Sequence, residues 1–273
     1  MPNKMPKEID QKLLAKYISS YLSSRPAFFS FIRPQEAYLF HQHLHLFKSP
    51  ILDFGCGDGF FADLVFPRHY IDIGLDIEDS RINQAKTTKV YKKLTTFDGK
   101  KIPLRSNTIS TIFSNSVLEH IPNLSQNLSE IHRILKPSGT FIASVMADKW
   151  EQYLPLGKLF GQTYLNYLRK KQEHYNLYSH KKWQRTFNKH GLEVTKVVGY
   201  LSPSIVKYNE LFHYLSIPSL LSYKLAGKWI LFPNWHKPIH LDQKITCLIT
   251  KDIYNPTNQS ASEFFILKKT NIS

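Results

Sequence analysis

Gly55, Gly57 and Gly59 alternate with Cys56 and Asp58, and Asp76 stands 21 residues beyond the first of them. Glycine loses more conformational freedom on folding than any other residue, so three at alternate positions imply a backbone requirement. The cluster follows an apolar run, Ile51–Phe54, and precedes a helix-like stretch, 58–66. A loop between a strand and a helix lies at the carboxyl end of the strand, where α/β sheets bind ligands. Bare backbone permits close approach there, and a helix start offers free N–H groups. Asp76 ends the next strand, Ile71–Leu75. An acid at this spacing can accept hydrogen bonds from both hydroxyls of a ribose. The two elements together read as a site for a nucleoside cofactor. A dinucleotide fingerprint would need glycine or alanine at position 60, where this chain has Phe60.

Candidates for proton transfer are histidines near strand ends, since imidazole titrates close to neutrality. His120 lies in "VLEHIPN" and His174 in "KKQEHYNLYSHKKW", with Tyr175 and Tyr178 beside it. A plainer reading stands next to each: His120 as a packed residue at a helix start, and His174 as a surface residue of a basic loop. Glu119 and Glu173 are sequence neighbours of the two rings, and neighbouring side chains seldom face one another. His41, His43 and His45 recur at a spacing of two, which places them on different sides of a helix and argues against a metal cluster. Cys56 and Cys247 have no paired spacing, so neither a disulfide framework nor a metal site is expected.

These residues need elements to hold them. Residues 1–8 read as frayed, and 9–22 and 34–47 as helices, the second opened by Pro34. From Ser49 strands and helices alternate. The strands are Ile51–Phe54, Tyr70–Leu75, Val90–Phe97, Thr108–Ser114, Thr140–Met146, Leu192–Tyr200 and Phe264–Lys268. Helices fall at 58–66, Glu78–Thr87, Asn123–Leu135 (stopped by Pro137 and Gly139) and 180–190. Such alternation predicts a parallel sheet covered on both faces. Two stretches depart from it: 151–179, aromatic, basic and irregular, and 201–243, interrupted by Pro203, Pro218, Pro233 and Pro238.

The pattern Asp53-x-Gly55-x-Gly57-x-Gly59 resembles the first motif of class I S-adenosylmethionine-dependent methyltransferases of the methyltransferase type 11-like group. "IGLDIEDSRINQAK" (73–86), "TFDGKKIPLRSNTISTIFSNSVLEHIPN" (96–123) and "LSEIHRILKPSGTFIAS" (128–144) resemble later segments of that family, in order. The resemblance covers 49–146 well and 174–200 loosely. It implies an α/β, Rossmann-like sheet of seven strands in the order 3-2-1-4-5-7-6, with strand 7 antiparallel and helices on both faces. It implies S-adenosyl-L-methionine as cofactor, its methionine end over Gly55, Gly57 and Gly59, and its ribose on Asp76. Asp98 and Gly99 would meet the adenine, Asn115 would border the methionyl part, and Asp53 would steady the loop. One departure is visible: where relatives often open the fourth strand with "SFD", this chain has Thr108-Ile109-Ser110.

The resulting organisation is an N-terminal helical segment, 1–48, and a methyltransferase domain, 49–273, with insertions at about 151–179 and 201–243. The formal charge of +15 suits an anionic partner: nucleic acid, an anionic membrane surface or a phosphate-bearing substrate. Residues 151–190 hold eight Lys/Arg and two acids among interleaved tyrosines, and 211–232 is apolar but broken by Pro218, Lys224 and Lys228. That composition suits a cap over a hydrophobic site, or a helix lying at a membrane interface. No run of about 18 uninterrupted apolar residues predicts a spanning helix. The expectation is a cytoplasmic methyltransferase, peripheral at the membrane face, acting on a small hydrophobic or lipid-linked acceptor without metal. The alternatives are an RNA methyltransferase, or a non-catalytic cofactor-binding protein of the same fold.

Overall fold

The computed structural model describes residues 8–78 and 80–270. Residues 1–7, where a frayed end was expected, lie outside the described residues.

Helix α1 (Gln11–Ser24) begins where the Asp10 carboxylate accepts the Leu13 amide at 3.0 Å. It buries Leu14, Tyr17, Ile18, Tyr21 and Leu22, one helical stripe. A 3-10 turn (Ala27–Phe31) leads to α2 (Arg33–Gln42), in which every residue from Pro34 to Phe40 is buried. The sequence predicts this helix to continue to residue 47, but it ends at Gln42. There the His43 ring, through Nδ1, donates to the Leu39 carbonyl at 2.7 Å, and the chain tightens into a 3-10 turn over Leu44–Leu46.

The alternating region follows the sequence closely: β1 (Ile51–Phe54), α3 (Phe60–Val65), β2 (Ile71–Ile77), α4 (Ser80–Ala85), β3 (Tyr91–Phe97), β4 (Ile109–Asn115) and α5 (Leu124–Ile134). The next strand, β5 (Leu135–Met146), starts directly after α5, so Pro137 and Gly139 do not separate the two. Pairing with β4 jumps from Ile109↔Leu135 to Thr111↔Thr140. The intervening residues bulge out, with Ser138 at a φ of 59°. A bulge is the place in a strand where a proline without an N–H is tolerated.

The first insertion is ordered rather than irregular. It forms α6 (Lys149–Tyr153) and α7 (Pro155–Lys171), the latter broken at Gly161 with a φ of 64°. After α8 (His180–Lys189) and β6 (Leu192–Tyr200), the second insertion builds α9 (Pro203–Leu215), α10 (Ile217–Ala226) and α11 (Leu241–Thr250), and β7 (Ser262–Lys269) closes the chain.

The seven strands form one sheet in the order β3-β2-β1-β4-β5-β7-β6, and β7 runs antiparallel to both neighbours. This is the order the family resemblance implies. On one face Phe40, Phe113 and Phe264 meet edge to face beneath the N-terminal helices. On the other, Ile131 of α5 and Trp183 and Phe187 of α8 cover Phe141 and Phe265. A core of large aromatics on both faces fixes the strand ends that carry the site. Among the described residues no helix is long and apolar enough to cross a membrane.

Candidate functional site

The three glycines all adopt left-handed backbone, with φ of 84°, 54° and 75° at Gly55, Gly57 and Gly59. Their surroundings give them different roles. A Cβ on Gly55 would meet Val117 at 2.5 Å, and one on Gly59 would crowd Thr88, Tyr91 and Ala85. Both are glycine so that the loop can pack. A Cβ on Gly57 would meet nothing within 4 Å. Gly57 is therefore the bare patch of the loop, turned to open space.

The loop hangs from β2. The amides of Gly55 and Cys56 donate to the Leu75 carbonyl at 2.8 and 3.1 Å, and the Gly57 amide donates to Asp76 Oδ2 at 2.6 Å. Asp76, the acid read from sequence, thus stands against the open face of the glycine loop. Ile77 follows it with 46% of its surface exposed, an apolar surface the sequence did not single out. Asp98 and Gly99 lie beyond the end of β3. Asp98 Oδ1 accepts the amides of Lys100 and Lys101, and these two bonds hold its carboxyl below the usual range. Gly99, at a φ of 75°, comes within 3.8 Å of Ile77 if given a Cβ. An open cradle, an acid, an apolar side chain and a second turn make a set that fits a ribonucleoside.

Asp53 is buried beneath the loop and does not bond its amides. Its Oδ2 accepts the Tyr91 hydroxyl at 2.7 Å, and burial pushes its carboxyl up to about 7 against that bond. Ser110, the visible departure from the family pattern, sits at the amino-terminal end of β4, opposite the glycine loop. Its hydroxyl donates to the Ser49 carbonyl at 3.0 Å and receives Lys136 Nζ at 3.1 Å. The missing acid therefore touches no part of the cradle.

Asn115 closes β4 in a network the sequence did not reveal. Its Nδ2 donates to Glu36 Oε2 at 2.9 Å, and its Oδ1 accepts the Ser144 hydroxyl at 2.7 Å. Glu36 is fully buried and collects three further donors: Arg33 at 2.8 Å, Ser116 Oγ at 2.7 Å and the Tyr200 hydroxyl at 3.1 Å. Burial, with the Glu36 charge beside it, keeps the Tyr200 phenol protonated. Glu119 lies near the same group. Burial pushes its carboxyl up to about 8, and its Oε2 has no hydrogen-bond partner.

The two histidines come together, with ring centroids 4.8 Å apart. His120 Nδ1 donates to the Gln172 carbonyl at 2.9 Å, which leaves the lone pair on Nε2. The orienting group is a carbonyl, not an acid, and Glu119 turns away to the Met146 amide. Burial lowers both imidazoles, His174 to about 3. His174 also lines a 380 Å³ hollow with Asn166, Arg169, Lys170, Glu173 and Tyr175. In the other histidine series, His41 bonds Tyr17 and His43 meets Lys196 Nζ, while the rings of His43 and His45 are 6.1 Å apart. Among the described residues no group of three or more side chains could hold a metal ion.

The chain matches a methyltransferase domain family over residues 14–197, more than half its length. It is 26% identical over 111 residues to malonyl-[acyl-carrier protein] O-methyltransferase of Legionella pneumophila, covering 38% of this chain and 39% of that protein. It is 32% identical over 131 residues to sterol 24-C-methyltransferase of Saccharomyces cerevisiae, covering 42% and 34%. The chain spans less than half the length of the curated relatives it matches first. The crystal structure of a SAM-dependent methyltransferase from Thermotoga maritima superposes with a TM-score of 0.56 at 17% identity, covering 96% of this chain and 98% of that one. At that identity the likeness speaks for the fold. With the family matched over residues 14–197 and the seven strands in the order β3-β2-β1-β4-β5-β7-β6, the chain belongs to the class I S-adenosylmethionine-dependent methyltransferases, and S-adenosylmethionine is its cofactor.

Proposed function

We propose that this chain transfers the methyl group of S-adenosylmethionine to a small hydrophobic or lipid-linked acceptor. The observation that carries methyl transfer is the pairing of the open Gly57 patch with the Asp76 carboxylate at the carboxyl ends of β1 and β2. Bound S-adenosylmethionine supplies an electrophilic methyl carbon. The protein supplies alignment and, for an acceptor with an acidic proton, a base.

The cofactor contacts are Gly57, Asp76, Asp98, Gly99 and Asn115, with Gly55 and Gly59 shaping the loop by packing and Asp53 buried beneath it. Asp76 holds the sugar, and the Asn115–Glu36 pair closes the methionyl end. Of the two histidines, His120 is the better base, because its Nε2 lone pair is fixed by the Gln172 carbonyl. His174, lowered to about 3 by burial and by His120, stays neutral and keeps that ring in place. An apolar acceptor is supported by the two insertions, whose outer faces are lined with leucine, isoleucine and phenylalanine. The sterol acceptor named for one relative points the same way.

The test is incubation of the purified chain with methyl-labelled S-adenosylmethionine, a total lipid extract and total RNA, followed by solvent partition. Label in the organic phase, absent with Asp76→Ala, supports the reading. Label in the RNA fraction alone overturns the acceptor class. No label anywhere, together with no binding of the cofactor by calorimetry, overturns the activity.

A further inference from the structure

Helix α10 buries none of its residues. Leu221 is 56% exposed, Leu225 87% and Phe232, in the turn that follows, 76%. Leu215, Ile217 and Leu231 extend the same apolar surface. Single exposed leucines are ordinary, but a contiguous patch of this kind marks a surface with a partner.

The exposed charge of this segment is predominantly positive. Between residues 203 and 244 stand Lys207, Lys224, Lys228, Lys237 and Lys244, all exposed, against the acids Glu210 and Asp242. Glu210 is buried, where it accepts the Tyr164 hydroxyl at 2.7 Å and the Leu156 amide at 3.0 Å. Only Asp242 opposes the lysines from outside. Tyr223 stacks on Trp229 with centroids 4.2 Å apart. Aromatic rings with a polar edge favour the headgroup level of a bilayer.

From this we infer that α10 and the segment after it are a docking surface for an anionic lipid bilayer. The helix has ten residues and lies along the interface rather than across it. A second copy of the chain fits less well, because self-pairing about a two-fold axis would set this lysine rim against itself. An anionic bilayer takes the apolar patch and the lysines together. β6 runs parallel to β5, since both are antiparallel to β7, so α9 and α10 leave the sheet at the same edge as the glycine loop. Docking therefore brings the acceptor side of the site to the lipid. That consequence rests on the proposed acceptor class; the docking itself does not.

The experiment is co-sedimentation of the full chain with vesicles of phosphatidylcholine alone or with about a third phosphatidylglycerol. Neither cofactor nor acceptor is added, so the result is independent of turnover. Binding to the anionic vesicles at least about tenfold tighter than to the neutral ones, weakening as salt rises, is expected. Leu221→Asp with Leu225→Asp and Phe232→Asp should cut it about tenfold or more, and Lys224→Glu with Lys228→Glu should remove the anionic preference. Unchanged cofactor affinity and circular dichroism in these variants certify the fold. Failure of the wild type to sediment with either vesicle overturns the inference, as does binding indifferent to the leucine variants. A concentration-dependent dimer, abolished by Leu225→Asp in a chain that ignores vesicles, assigns the patch to a second copy instead.

Discussion

Glu36 of α2 takes its hydrogen bond from Asn115 at the tip of β4, so the N-terminal segment is bonded into the edge of the sheet that carries the cofactor loop. Four donors converge on this one buried carboxylate. Glu36→Gln replaces one acceptor oxygen with a donor and leaves Arg33 without its charge partner. Breaking a buried pair in this way costs about 3 kcal/mol. The expected outcome is a lower melting temperature and weaker cofactor binding, read by calorimetry. Wild-type values for both would show that the network is ornamental.

Asp76→Ala should abolish measurable cofactor binding with the fold intact. Gly57→Ala should do nearly the same for a different reason, since its methyl would fill the open patch; a side chain at a φ of 54° adds about 1 kcal/mol of strain. Titration calorimetry and thermal melts separate the two effects. Unchanged affinity in Asp76→Ala would count heavily against the cofactor site.

His120→Ala should lower turnover by about a hundredfold while leaving cofactor affinity unchanged. His174→Ala should also lower turnover more than affinity, but by less. Equal rates in wild type and variant would remove that ring from the reaction.

Stability should fall in acid through the same pair. His174 titrates near 3 when folded and near 6.5 when unfolded, and His120 is lowered as well. Between those values the unfolded chain binds more protons, so stability declines as pH drops below 6.5. His174→Gln should flatten that decline in melts recorded from pH 7 to 5.

Rising pH should act through buried acids. Asp53 is raised to about 7 and Glu119 to about 8, whereas both ionise near 4 in the unfolded chain. The folded state holds the extra protons in that window, so stability falls as pH rises through it. Glu119→Gln should reduce the loss between about pH 5 and 8, again read from melts.

The strands and the glycine loop were legible because their signals are local. Ile51–Phe54 and Leu192–Tyr200 have the predicted bounds, and the sheet order is the implied one. Glu36 was not legible, because its partners Asn115, Ser116 and Tyr200 are remote in sequence and nothing near it marks a site. Helix α7 was hidden because few of its residues are buried, which blurs the apolar period. Helix α11 was missed although Ile245 and Ile249 give it a buried stripe, because Pro233 and Pro238 just before it read as continued interruption.

Helix α1 has two attachments. At its carboxyl end Arg25 pairs with Asp58 of the glycine loop and lies over the Phe60 ring. Along its length, the Leu22 carbonyl accepts Trp235 Nε1 and Ser19 meets His236, both just beyond the apolar patch. One helix thus ties the glycine loop and the segment behind the apolar patch to a single element, so a change at either end is felt by the same rod.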